Sequence, residues 1–226
     1  MPRAGLTPQI VAQAAAALVD RDGPAALTIT RVADELGVRP PSLYNHVDHR
    51  DALERLVALD GIDRLADGCR TAVMGRALGD GLRELAHAYR AFATSHPGTY
   101  QLTQRSRPGD TDYEVRAARV LEPILALLSG YGLPEPDLIH AARTLRSALH
   151  GFVTLEQHVG FGLDIDVSTS FDWMLDALER SLESPPPADA RPAPPPAAVS
   201  PLPTKAHRWT RADPPDVDRE PGRHRR

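Results

Sequence analysis

Residues 27–53 read LTITRVADELGVRPPSLYNHVDHRDAL, two short amphipathic segments set about a single glycine. Thr28 is placed to cap the first segment, with Leu27 and Val32 at the N′ and N4 positions of a hydrophobic staple. Val32, Ala33 and Leu36 recur on one face at the 3.6-residue period, and Arg31, Asp34 and Glu35 take the other. Gly37 follows where a left-handed C′ residue ends a helix. Arg39 precedes a proline and is biased toward extended backbone, as an N-cap must be, and Pro40 suits a first helical position that needs no N–H. Pro41 disfavours α geometry at Pro40, a local conflict. Leu43 and Val47, at i and i+4, still give the second segment a buried stripe and leave Ser42, Tyr44, Asn45 and His46 pointing outward. Asp48 is then expected to cap a longer helix, with Asp51 at N3, Arg50 in the first turn, and Leu53, Leu56, Val57 and Leu59 on its apolar side. This is the layout of a helix-turn-helix. A glycine-hinged apolar helix pair also occurs in many all-α proteins, where Tyr44 would be only a rim residue.

The flanking sequence extends the helical pattern. Thr7 as N-cap and Pro8 at N1 open a first helix with Ile10, Val11, Ala14 and Leu18 on one side, ending near Asp20 and bracing the pair. Further on, Leu82, Leu85, Ala86, Tyr89, Phe92 and Ala93 share a face until His96-Pro97-Gly98 breaks the run. Helices are expected over about 111–129, bent at Pro123, over 137–159, and over 168–182. The last two carry apolar faces broad enough to pack within a subunit and against a twin, as in a four-helix dimer bundle. Leu138, Phe152, Leu155, Phe171, Met174, Leu175 and Leu178 are the interface candidates. The fold class is all-α: an N-terminal three-helix domain (residues 1–50), a C-terminal helical domain (51–183), and a proline-rich, disordered tail (184–226). The tail ends in a basic stretch around Trp209, which could add nonspecific nucleic-acid affinity or simply be solvated.

Composition narrows the function classes. The chain of 226 residues carries a net charge of −4, and Lys205 is its only lysine. Residues 1–50 hold five arginines against five acids, so any phosphate-binding face is local and nonspecific affinity weak. Cys69 is alone, which excludes an intramolecular disulfide and leaves a small packing residue. With no apolar run near membrane length and no apolar signal core, the chain is expected in the cytoplasm, without a membrane partner. No G-x-S-x-G elbow, glycine-rich phosphate loop or H-E-x-x-H pair is present, and His46 and His49 lie across a helix boundary. Neither an enzyme, a cofactor nor a metal is expected.

The segment LGVRPPSLYNHV followed by DHRDAL resembles the recognition helix and following helix of the TetR-type transcriptional regulators, over residues 7–65. The resemblance implies that Arg39, Pro40, Pro41, Ser42, Asn45 and His46 face the major groove or its walls. Tyr44 and Arg50 would hold phosphates, and Thr28 and Arg31 would meet another at a helix N-terminus. The chain departs from the family pattern at Pro40, which often is a long polar residue, and at Arg50, which often is lysine. Base readout therefore shifts to Arg39, Ser42, Asn45 and the thymine-methyl contacts of the prolines.

HGFVTLEQHVGFGL with the later SFDWML is similar to the C-terminal domain of one TetR subgroup, over residues 83–182, although Leu149 replaces a usual tryptophan. By that likeness Tyr89, Phe92, Tyr100, Ile124, Leu145, Leu149, Phe152 and Phe161 would wall a small-molecule effector pocket, and His87 or His150 could orient a polar effector. Aromatic and aliphatic stripes at this spacing also serve as plain core. The resemblance implies a homodimer that binds a double-stranded, pseudo-palindromic operator, most simply a repressor that an effector releases. The alternative is a helical dimeric scaffold or effector-binding protein without specific DNA binding, against which Tyr44 and Arg50 count.

Overall fold

The computed structural model describes residues 5–185, which are helical throughout and contain no strand. The head comprises α1 (Pro8–Asp22), a 3-10 turn (Pro24–Ala26), α2 (Ile29–Glu35) and α3 (Pro40–Leu43). Six further helices follow: α4 (Arg50–Val73), α5 (Leu78–Ser95), α6 (Pro97–Thr103), α7 (Thr111–Ser129), α8 (Glu135–Gln157) and α9 (Val167–Glu183). The tail reading falls outside the described residues except for Ser184 and Pro185.

The local signals act where the sequence places them. Thr7 Oγ1 accepts from Ile10 N at 3.2 Å, and Thr28 Oγ1 accepts from Arg31 N at 3.2 Å, so each threonine satisfies a helix-start amide. Gly37, at φ 63°, ends α2 in a Schellman motif: Val38 N donates to Ala33 O at 3.0 Å and Gly37 N to Asp34 O at 3.1 Å. Arg39 is extended (φ −81°, ψ 143°) and hands the chain to Pro40 at N1.

Two expectations need correction. The cap of α4 is His49, not Asp48: its Nδ1 accepts from Ala52 N at 3.2 Å, which moves Asp51 from N3 to N2. α3 is a single turn. Beyond it only the amides of His46 and Val47 bond back, both to Leu43 O, at 2.8 and 2.9 Å. Burial of Leu43 and Val47 therefore holds this segment more than helical hydrogen bonding does. The helix boundaries elsewhere lie within two residues of those expected. The exception is α6, which the sequence marks only as a break.

Residues 5–185 belong to one compact unit with two cores. The head core gathers Val11, Leu18 and Val19 of α1, Leu27, Val32, Leu43, and Leu53, Val57 and Ala58 of α4. The second core gathers Leu65 and Cys69 of α4 with α5, α7, α8 and α9. α4 thus serves both cores, and the expected boundary at residue 50 is the point where it starts. Leu102 of α6 is fully buried in the head core, although in sequence it lies far beyond the other buried members, which end at Ala58. Burial pushes the Cys69 thiol up to about 12, so it stays protonated and packs as a small apolar group.

Candidate nucleic-acid interface and ligand cavities

The helix-turn-helix presents the expected residues on its outer side. Thr28, Arg31, Arg39, Pro41, Tyr44, Asn45 and Arg50 are exposed, and Pro40, Ser42 and His46 are half-buried. Tyr44 leaves 54% of its surface in solvent, while its neighbour Leu43 leaves none, so the single turn of α3 separates a buried anchor face from an exposed one.

Charge on this face is mostly compensated. Asp22 pairs with both Arg21 and Arg31, and Arg21 also pairs with Glu35. Those arginine hydrogen bonds hold the exposed Asp22 carboxyl below the usual carboxylate range. Arg50 donates through Nε to Glu54 at 3.0 Å and through its terminal nitrogen to the Pro24 carbonyl at 2.9 Å, which fixes it beside the turn after α1. Glu54 in turn accepts from Arg105, just beyond α6. Arg39 makes no ion pair among the described residues, so its guanidinium is the least committed cation of the head.

α6 is the element that joins head to body. Asp20 of α1 accepts from Thr99 N at 2.7 Å and lies 3.0 Å from His96 Nδ1, supplying the cap that the start of α6 lacks locally. A methyl group in place of the Gly98 hydrogen would stand 2.0 Å from the Val19 carbonyl oxygen, so α6 meets the backbone of α1 directly. α6 also contributes to the walls of two cavities.

The first, of about 420 Å³, lies between α4, α6, α7 and α8. Of the expected pocket residues, Tyr89, Ile124 and Leu149 line it. The second, of about 390 Å³, is walled by α1, the start of α6 and α8, and takes Tyr100 and His150. Tyr89 Oη, Tyr100 Oη and His150 Nδ1 form a row at 2.8 and 2.7 Å that links the two cavities. Burial raises both tyrosine pKa values, and burial followed by the charge of Arg146 lowers that of His150, so the row is neutral near pH 7.

Four expected pocket residues are elsewhere. Phe92 packs on His96 at 5.3 Å under the Arg64 guanidinium, and Leu145 is core. Phe152 sits between Phe161 (4.8 Å) and Phe171 (4.9 Å), and Phe161 borders a separate surface cleft with Leu163 and Ile165. His87 lies 3.1 Å from Asp172 and edge-on to Phe171, away from both cavities. The stripe on these helices is largely core because each helix turns its broadest apolar face inward. The rest of the first cavity's lining is apolar residues of α4 and α7, Ile62, Leu65, Ala117, Ala118, Val120 and Leu121, and polar ones beside the stripe, Thr103, Gln104, Tyr113, Glu114 and Arg146. Arg146 lies three residues before Leu149, the only trace of it in the sequence.

The interface candidates divide in the same way. Phe152, Phe171 and Leu175 are buried within their own subunit, Leu138, Met174 and Leu178 are half-buried, and only Leu155 is openly exposed. The periodicity did not register that Ile139 and Trp173, at 37% and 70% exposure, also stand on the outer side of α8 and α9.

Residues 82–178 match the family model described as tetracyclin repressor-like, C-terminal domain. An HTH-type transcriptional regulator of Mycobacterium tuberculosis is 38% identical over 182 residues, covering 80% of this chain and 83% of the relative. Another, of Bacillus subtilis, is 33% identical over 176 residues, covering 77% and 91%. Among solved structures, a TetR variant of Acinetobacter baumannii AYE in complex with minocycline superposes with a TM-score of 0.60 at 23% identity, covering 79% of this chain and 97% of that one. With an outward-facing helix-turn-helix braced on a two-core helical body, the chain belongs to the TetR family of DNA-binding transcriptional regulators.

Proposed function

We propose that the protein is a homodimeric repressor that leaves its operator when a small molecule occupies the 420 Å³ cavity. One observation carries this reading: α6 supplies Thr103 to that cavity and, at its other end, is capped by Asp20 of the head. A ligand that displaces α6 works against α1 in the same motion and shifts the population between DNA-compatible and incompatible spacings of the two heads. The minocycline complex of the A. baumannii protein is a precedent for a small molecule in this fold. The dimer is assigned to the exposed side of α8 and α9, where Leu155, Ile139 and Trp173 present apolar surface to solvent.

On DNA, Arg39, Ser42 and Asn45 read base edges, with the Pro40 and Pro41 rings against thymine methyls and His46 at the groove wall. Tyr44, Arg50, Arg31 and the Thr28 helix start hold phosphates. Two recognition turns then meet successive major grooves about 34–36 Å apart. The test is a gel shift on the DNA flanking the protein's own coding sequence, at several salt concentrations. Tyr44→Ala and Arg50→Ala weaken binding alike on all sequences, whereas Asn45→Ala mainly relaxes sequence preference. Arg31 and Arg50 from each of two heads give a salt slope of about −4. Equal loss of specificity in all three variants overturns the residue assignment. Absence of any specific shift by a folded dimer favours the scaffold alternative.

A further inference from the structure

We infer that the 420 Å³ cavity takes an organic anion, an apolar body bearing a carboxylate or comparable acid group that seats on Arg146. This deepens the effector reading of that cavity and rests on it. Ile62, Leu65, Ile124 and Leu149 give the cavity apolar walls suited to a hydrocarbon or aromatic body. Most of its polar groups are already engaged. The Tyr113 hydroxyl donates to Thr103 O at 2.7 Å, and Thr103 Oγ1 donates to Tyr100 O at 2.7 Å. Gln104 Nε2 donates to Thr103 Oγ1 at 3.0 Å, and the Tyr89 hydroxyl lies 2.8 Å from that of Tyr100.

Two charged groups remain on the lining, and they are not equivalent. Glu114 stands in the first turn of α7, where one oxygen accepts from Gly109 N at 3.1 Å and the helix dipole compensates its charge. Arg146 stands mid-way along α8, far from either helix end, with no hydrogen bond or ion pair among the described residues. Its charge nevertheless reaches the site: it favours the ionised forms of Tyr89, Tyr100 and Tyr113 and opposes protonation of His150. The exposed edge of the cavity therefore offers a cation without a protein partner among the described residues, on a planar, forked donor that matches a carboxylate. Arg146 is exposed at the cavity's edge, so a neutral apolar occupant leaves its guanidinium to water and gains nothing from it. A cation would meet Arg146 directly and gain only a carboxylate already shared with a backbone amide.

Calorimetric titration of the full-length protein tests this with octanoate against octanol and 2-naphthoate against 2-naphthol. At least one carboxylate binds at least tenfold more tightly than its alcohol, the factor expected of one charge-assisted contact. Arg146→Gln abolishes that preference and leaves the thermal unfolding midpoint in place, because the guanidinium makes no structural contact. Ala117→Phe, which fills the cavity from a half-buried wall position, removes binding of acid and alcohol alike. The inference is overturned if neither carboxylate binds below about 1 mM, if the alcohols match them, or if the preference survives Arg146→Gln. Alcohols that match the acids yet are lost in Ala117→Phe sink only the charge assignment. Binding that persists in Ala117→Phe sinks the cavity reading as well.

Discussion

Gly98 shows how one hydrogen atom fixes a junction. Its Cα lies so close to α1 that an added methyl carbon would stand 2.0 Å from the Val19 carbonyl oxygen and 2.4 Å from its carbon, rigid backbone on both counts. Gly98→Ala should therefore separate α6 from α1 and lower stability by about 1–3 kcal/mol, read by urea unfolding of the full chain. An unchanged midpoint would mean that the two helices are not in firm contact. The sequence shows Gly98 only as part of a helix break, because its role depends on a backbone segment nearly eighty residues earlier. Residues whose partners are local were legible: Thr7, Thr28, Gly37 and Arg39 all act within a few positions of themselves. Asp48 failed for an instructive reason. Aspartate is the stronger N-cap by preference, but His49, one residue later, presents a ring nitrogen to the same kind of amide.

Elements were legible in proportion to their length and periodicity. α5, α7, α8 and α9 declare themselves through long apolar stripes, whereas α6, seven residues opened by a proline, offers too few turns for a period and borrows its cap from α1. The stripes also explain why half of the expected pocket residues line neither cavity: they identify which face is apolar, not whether it meets another helix or a void. α7 is fastened differently. Asp110 caps it through Tyr113 N at 3.2 Å and receives two hydrogen bonds from Arg55 of α4, at 2.6 and 2.8 Å.

Arg55 first of all, then the Tyr113 amide, hold the Asp110 carboxyl near about 2, below its ordinary 3.8. A depressed folded-state pKa means that this stabilisation is complete above about pH 4 and disappears as pH falls toward 2. Asp110→Asn retains a capping oxygen and loses the ion pair. Its stability deficit relative to wild type should be largest near neutrality and shrink between pH 4 and pH 2, in denaturation series at fixed pH. A deficit that does not depend on pH would show that the cap, not the charge, is what matters.

For the whole molecule, assembly follows from what remains uncovered. With Phe171 and Leu175 committed to their own core, the dimer proposed above rests on the outer side of α8 and α9, where Leu155 is 51% exposed. Leu155→Glu should yield a monomer in sedimentation with unchanged far-ultraviolet dichroism. It should also cost more than tenfold in affinity for a two-half-site operator, because the second head no longer binds intramolecularly. A variant that remains dimeric would place the interface elsewhere. The sequence marks α8 and α9 as the helices with the broadest apolar faces but does not separate inward from outward leucines, since both kinds recur at the same period.

α4 adds a consequence of scale. Its 24 residues make a rod of about 36 Å, embedded over its first part among head side chains, with Ile62 and Leu65 further along it lining the first cavity. A rod of that length converts angle into distance: a tilt of about 5° pivoted at one end carries the other about 3 Å sideways. The major groove is only about 12 Å wide. On the effector reading proposed above, a rotation smaller than the scatter of ordinary helix-crossing angles suffices to shift a head by about a quarter of that groove, so the input is better measured in degrees than in displaced atoms.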